Sequence, residues 1–177
     1  SQEVKKFGFG FKTGIDLNAE GEGLVPTVDY MNKKYKNSGG WSKGHLLNLS
    51  IGQGETSVTP IQINNLISCI VNRGYVCTPH INKTKSFEKI IVDYNKNVWD
   101  KIKKYMFDAV NKSKGTAYNA AIDLSKGKVY GKTGTVQICS NCDILPHAWF
   151  AGFMESKNNK KYTVTIIIEN GGKGSNM

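Results

Sequence analysis

Arginine is nearly missing from this sequence. Arg73 stands alone, and every other member of the 24 lysines and arginines is a lysine. Arginine is the side chain that reads guanine bidentately and stacks on bases, so its scarcity argues against a base-reading nucleic-acid binder. The lysines are also dispersed, as Lys33/Lys34/Lys36, Lys101/Lys103/Lys104 and Lys157/Lys160/Lys161, which fits a solvated surface better than one binding stripe. Cysteine is scarce too: Cys69, Cys77, Cys139 and Cys142 are too few for a disulfide-dense scaffold of this length. Long apolar runs are absent. The longest, Val164 to Ile168, has the length and composition of a strand, far short of the roughly 20 residues that a membrane-spanning helix needs. There is no secretory leader, no initiator methionine, no internal repeat and no low-complexity tract. The sequence opens in mid-pattern at Ser1 and stops at Met177 after a glycine-rich stretch, so a piece of a longer protein is expected.

What is present is the composition of a folded chain. Of 177 residues, 39% are hydrophobic and 21% charged, which excludes disorder by composition and fits one domain or a large part of one. Fourteen acidic residues leave a net charge of +10 and a pI near 9.4, which favours an anionic partner.

Residues 7–26 are glycine-rich without a sustained period and read as irregular, with turns. Thr27 caps a short helix through Tyr35, residues 37–40 form a turn, and residues 48–58 are a second glycine-rich passage. Thr59-Pro60 opens a helix that Gly74 ends. Residues 75–82 read as extended, and 90–94 as a short strand. An amphipathic helix starts at Asn97, with Val98, Ile102, Tyr105, Met106, Ala109 and Val110 on one face; Gly115 breaks it, and a short helix over 116–121 follows. Three strands close the chain, at 128–138, 147–155 and 162–169. Helices first and strands last predict an α+β fold with an antiparallel sheet.

The strongest local motif is Gly131-Lys132-Thr133-Gly134-Thr135. A phosphate-binding loop would need four residues between its glycines and a helix after the threonine. Gly127 and Gly131 are separated by three, and Thr135-Val136-Gln137-Ile138 favours a strand, so the phosphate-binding helix terminus is lacking. The alternative is the Lys-Thr-Gly box of penicillin-interacting serine enzymes. On a strand edging a cleft, Lys132 supplies positive charge, and the hydroxyls of Thr133 and Thr135 bind a carboxylate. Gly134 lets substrate lie against the strand, and the backbone N–H after it serves an oxyanion hole. For the tripeptide alone, an ordinary turn is the better reading.

The tripeptide has company. FGFGFKTGIDL (7–17), EGLVP (22–26), NLSIGQGETSVTPIQ (48–62), NRGYVCTPHI (72–81), GKTGTVQ (131–137), HAWFAGF (147–153) and IIIENGG (166–172) occur in that order. Over essentially its whole length the chain resembles the transpeptidase domain of class B penicillin-binding proteins. Its Ile51-Gly52-Gln53-Gly54 and Glu169-Asn170-Gly171-Gly172 passages look like the elongation-type, penicillin-binding protein 2-like branch. The resemblance implies a β-lactamase/transpeptidase-like α+β fold, an antiparallel sheet flanked by helices and incomplete in this fragment, with residues 1–177 forming the C-terminal part of the domain. It implies a serine-type D,D-transpeptidase that cross-links peptidoglycan stem peptides and is acylated by β-lactams, without a cofactor. Lys132 and Thr133 would bind the donor carboxylate, Thr135 would give the oxyanion N–H and a hydroxyl contact, and Gln53 would shape a loop near the site. The family's Ser-x-x-Lys and Ser-x-Asn boxes belong upstream, so this fragment is expected to be inactive alone. Two imitations, Ser86-Phe87-Glu88-Lys89 and Ser125-Lys126-Gly127-Lys128, lie on the wrong side of the 51–54 passage, and Ser125 sits in a loop where a nucleophile wants a helix start. The implied partners are the upstream half of the protein and the cell-elongation machinery. The implied place is the outer face of the cytoplasmic membrane, held by an anchor outside this chain.

Cys139-Ser140-Asn141-Cys142, followed by His147, has the spacing of half a zinc site, with Cys69, Cys77, His80 or Asp143 as further ligands if they fold close. Outside the cytoplasm a disulfide is equally open, as are free thiols. Cys69 lies on the inward face of its helix and reads as core packing. Trp149 and Phe150 must point to opposite faces of their strand, one into the core and one toward a helix or the cleft. With the family's first helices and last helix lacking, apolar side chains around Val164, Ile166 and Ile168 are expected to stand exposed. Two further functions stay open: a non-catalytic relative that binds stem peptide or β-lactam, and a basic module for an anionic polymer.

Overall fold

The computed structural model describes residues 2–86, 88–138 and 143–176. A short α1 (Gln2–Lys5) precedes a long irregular stretch, tied down by side chains rather than by ladders. Glu20 accepts hydrogen bonds from the Thr13 hydroxyl and from the N–H groups of Thr13 and Gly14. Buried Gln62 donates to the carbonyls of Phe11 and Glu22 at 2.8 and 2.7 Å. Then come α2 (Val28–Lys34), α3 (Lys43–Ser50) and α4 (Pro60–Val71). The caps read from sequence hold at α2 and α4: Thr27 accepts from the Tyr30 N–H, and Thr59 forms a reciprocal pair with Gln62.

The helix α3 is a correction. The passage from residue 48 reads in sequence only as glycine-rich, with no helix expected there, yet Asn48–Ser50 finish a helix. His45 accepts from the Ser42 N–H to close its start, and Leu46 and Leu47 are good helix formers. Gly52 and Gly54, both with φ of 77°, end it. Of the extended region 75–82, only β1 (Tyr75–Cys77) is a strand, paired antiparallel with β2 (Lys89–Ile91). α5 (Lys96–Asn111) begins one residue before its expected start, because Asn95 supplies the cap. The short helix at 116–121 is a 3₁₀ turn, Tyr118–Ala120.

The three closing strands form as expected: β3 (Gly127–Val136), β4 (His147–Ser156) and β5 (Lys161–Ile168) make one antiparallel sheet in that order. On one face, α4 crosses β4 and β5 while α5 runs along β3. The core between them holds Ile67, Ile70, Trp99, Met106, Tyr130 and Phe153. Tyr130 and Phe153 are register partners whose rings stack 4.3 Å apart. Lys103 of α5 reaches over both rings to Glu155 at 2.7 Å, and Glu155 also accepts from the Tyr130 hydroxyl. On the other face, Phe150 packs with Val110, Ala117 and Val129, but β5 is bare: Val164, Ile166 and Ile168 are 42, 42 and 46% exposed, the exposure expected from the sequence.

Candidate active site

Among the described residues β3 is an edge strand, and its outer edge, paired with no other strand, carries the Lys-Thr-Gly-Thr sequence. Lys132, Gly134 and Val136 share the face that looks toward α4 and α5, and Gly131, Thr133 and Thr135 share the other. Between the sheet and the helices lies a cavity of about 770 Å³. Lys132, Gly134, His147 and Trp149 line its strand side, Leu66 and Ile70 come from α4, Met106 from α5, and Gly52 from the glycine-rich passage. Its wall is mainly apolar, and the Lys132 amine is the charge beside it.

Lys132 Nζ donates to its neighbour's carbonyl, Thr133 O, at 2.7 Å. The Thr133 hydroxyl donates to Thr116 Oγ1 at 3.1 Å, and Thr116 is brought alongside by the turn after α5. The Thr135 hydroxyl accepts from the Gly174 N–H at 3.0 Å, so the chain's last turn is tied to this strand. The approach needs glycine at 174, because a β-carbon there would fall well inside 3.0 Å of Gly134 O. Gln53 reaches the same edge across 82 residues. Its Nε2 donates to Thr135 O at 3.0 Å, and its Oε1 accepts from the Gln137 N–H at 3.3 Å. Lys132, Thr133, Gly134, Thr135, Gln53 and His147 are thus gathered around one strand end. Thr116 and Gly174 had no local signal in the sequence; only the folded edge reveals them.

His147 starts β4 opposite Val136, and its Nδ1 accepts from the Asn170 N–H at 3.0 Å. That bond places the proton of the neutral ring on Nε2. Cys139 and Cys142, the proposed half of a metal site, lie outside the described residues. Among the described residues no group of three or more His, Cys, Asp or Glu is placed to hold a metal. Cys69 is buried in α4, and burial pushes its thiol up to about 11, in keeping with core packing. Phe150 is buried while Trp149 lines the cavity, the opposite facing expected.

Neither imitation of the Ser-x-x-Lys box is built for nucleophilic work. Ser125 lies in a turn, its N–H on Asp123, with Lys128 already in β3; Ser86 lies in coil, with Lys89 opening β2. Ser156-Lys157-Asn158 has the form Ser-x-Asn, but it makes the β4–β5 turn. Nine residue steps of extended strand run from His147 to Ser156, roughly 30 Å at about 3.4 Å per residue.

The sequence profile described as the penicillin binding protein transpeptidase domain matches residues 1–177. The chain belongs to that family. This penicillin-binding transpeptidase sequence is similar to the peptidoglycan D,D-transpeptidase MrdA of Haemophilus influenzae, 32% identical over 99% of the chain and 30% of the relative. It is similar in fold to Pseudomonas aeruginosa PBP2 in complex with WCK 5153, with a TM-score of 0.80, 29% identity, and 97% of this chain matched to 39% of that one. Helicobacter pylori PBP2, in its complex with MreC, gives a TM-score of 0.80 and 31% identity, with 97% of this chain matched to 32% of that one. The transpeptidase chain is therefore of the class B, penicillin-binding protein 2-like kind, and its α+β sheet with flanking helices is that family's fold. It spans about 30% of the length of MrdA.

Proposed function

We propose that residues 1–177 are the later part of a peptidoglycan D,D-transpeptidase domain and form the Lys-Thr-Gly wall of its active site. The carrying observation is the outer β3 edge, where Lys132 stands beside a large apolar cavity and the hydroxyls of Thr133 and Thr135 lie on the other face of the same strand. A serine from the part of the protein beyond this chain attacks the carbonyl of a stem peptide's D-Ala-D-Ala bond. The oxygen gains negative charge, which the Thr135 N–H stabilises as a preorganised donor. The C–N bond breaks, D-Ala leaves with a proton on its amine, and an acyl-enzyme remains. An amine of a neighbouring strand attacks that ester, returns the hydroxyl to the serine and completes the cross-link. Lys132 leaves Thr133 O to meet the donor carboxylate, with the Thr133 hydroxyl as its second contact. A β-lactam takes the donor's place and stays bound as the acyl adduct.

The partners are the upstream half of the same protein, whose packing would close the apolar cavity, and cell-elongation proteins, as H. pylori PBP2 is found with MreC. The place is the cell envelope, on the outer face of the cytoplasmic membrane, with the anchor outside this chain. No helix among the described residues is long and apolar enough to cross a membrane.

Intact mass after β-lactam exposure tests the reading, on this chain and on one extended upstream. One adduct on the extended chain only, mapped to an upstream serine, is expected. An adduct on this chain alone would move the chemistry to Ser86 or Ser125. No adduct on either, with both folded, would favour a non-catalytic stem-peptide or β-lactam binding module.

A further inference from the structure

The outer edge of β3 is already occupied by the protein's own side chains. In an antiparallel strand the backbone N–H and C=O of alternate residues point to the same side. The β3 edge obeys that period. Val129 O accepts from Asn111 Nδ2 at 2.9 Å, Thr133 O from Lys132 Nζ at 2.7 Å and Thr135 O from Gln53 Nε2 at 3.0 Å. The Gln137 N–H, next in the series, donates to Gln53 Oε1. Asn111 stays with its own helix, bonding Phe107 O as well, and so closes one end of the edge. Gln53 closes the other end differently. Its carboxamide offers one donor and one acceptor to residues 135 and 137, as the N–H and C=O of one residue in a parallel partner strand would.

We propose that Gln53 is a resident mimic of a peptide on the β3 edge, and that an extended donor must displace it to pair with Thr135. This rests on the transpeptidase reading above, and specifies what the donor competes with. A strand edge left bare invites pairing with any extended chain, and a side-chain amide is a reversible cover for it. Adding a strand to such an edge is a general mode of peptide recognition, and its affinity comes from main-chain hydrogen bonds. Thr135 O is one of those acceptors and is taken in the resting state. The N–H of Thr135, on the same side of the strand, is the proposed oxyanion donor, so the latch sits one bonding position from the chemistry. Gly52 and Gly54, with positive φ on both sides of Gln53, give it a short hinge.

The test measures acylation of the full-length protein by benzylpenicillin, resolved into apparent Kd and limiting rate. Gln53→Ala removes both bonds. Gln53→Glu keeps the size and the bond from Gln137, but opposes a carboxylate to Thr135 O. Apparent Kd should fall about five-fold in Gln53→Ala, the effect of about one net hydrogen bond. It should fall in the same direction in Gln53→Glu. Hydrogen exchange gives a readout that needs no variant: acylation of the wild-type protein should speed exchange at the Gln137 amide as Gln53 lets go. An unchanged or raised Kd, or unaltered Gln137 exchange, overturns the latch while the transpeptidase reading stands. A wild-type protein that gains no adduct overturns both.

Discussion

Gly131 and Gly152 are direct partners across β3 and β4, and the Phe150 ring lies over both. Replacing Gly131 with alanine tests how fixed that ring is. The new methyl would stand well inside 3.0 Å of two ring carbons, Cε2 and Cζ, where carbon atoms normally keep about 3.5–4.0 Å. The ring must therefore retreat by roughly 1 Å. Its ways out are blocked: it is 9% exposed, Val110 would be 3.4 Å from the same methyl, and the Gly152 side already holds it close. Overpacking of this kind costs about 1–3 kcal/mol. At about 2–4 °C per kcal/mol for a domain of this size, thermal unfolding of the transpeptidase domain in the intact protein should drop by about 2–12 °C. Phe150→Leu in both backgrounds completes a cycle. If the collision is the cause, the double variant loses less than the sum of the singles, by about 0.5–3 kcal/mol. A Gly131→Ala protein with an unchanged midpoint, or strictly additive losses, would refute the reasoning. So would intact stability with lost acylation, which would move the effect from packing to the neighbouring Lys132.

Two further outcomes follow from the same sheet. Burial alone would raise the Glu155 carboxyl, but hydrogen bonds from Lys103 and Tyr130 outweigh it and hold the group below its ordinary 4.5. The unfolded chain then binds more protons in acid, so this stabilisation is present above about pH 4.5 and is lost as pH falls through the lower folded value. Tyr130→Phe, which removes a hydrogen bond to a charged group, should cost about 1.5–3 kcal/mol at neutral pH and less in acid; denaturant melts at pH 7 and pH 4 read the difference. Gly174→Ala should push the last turn off β3 and break its bond to the Thr135 hydroxyl, costing at least about 1 kcal/mol and slowing β-lactam acylation; unaltered acylation would show that this tether does not shape the edge.

The elements with local signals were legible. Thr59-Pro60 and Thr27 announce helices through backbone groups within three residues, and alternation in 147–155 sets the face of Trp149 against that of Phe150. The helix α3 was hidden because the glycines just after it dominate the passage. The Lys-Thr-Gly strand could be named from sequence, but its surroundings could not. Gln53, Asn111, Thr116 and Gly174 reach the edge over separations of 82, 18, 17 and 39 residues, and no periodicity encodes such meetings. Within 75–82, read as extended, only 75–77 form a ladder, because their partner strand is limited to 89–91.

The tether from Thr135 to Gly174 also bears on how the protein is born. β3 leaves the ribosome before two of the things that hold it in place: β4, and the turn at Gly174, 39 residues after Thr135. At about 5–20 residues per second that turn follows the strand by roughly 2–8 s, and β4, which pairs the strand's inner edge, is complete about half-way through that wait. The helices α4 and α5 are already made by then and offer their apolar faces to it. The wall of the candidate site is thus among the last parts of this sequence to be secured, and a ribosome that stalls between 136 and 147 would leave a nascent chain whose β3 has no partner strand.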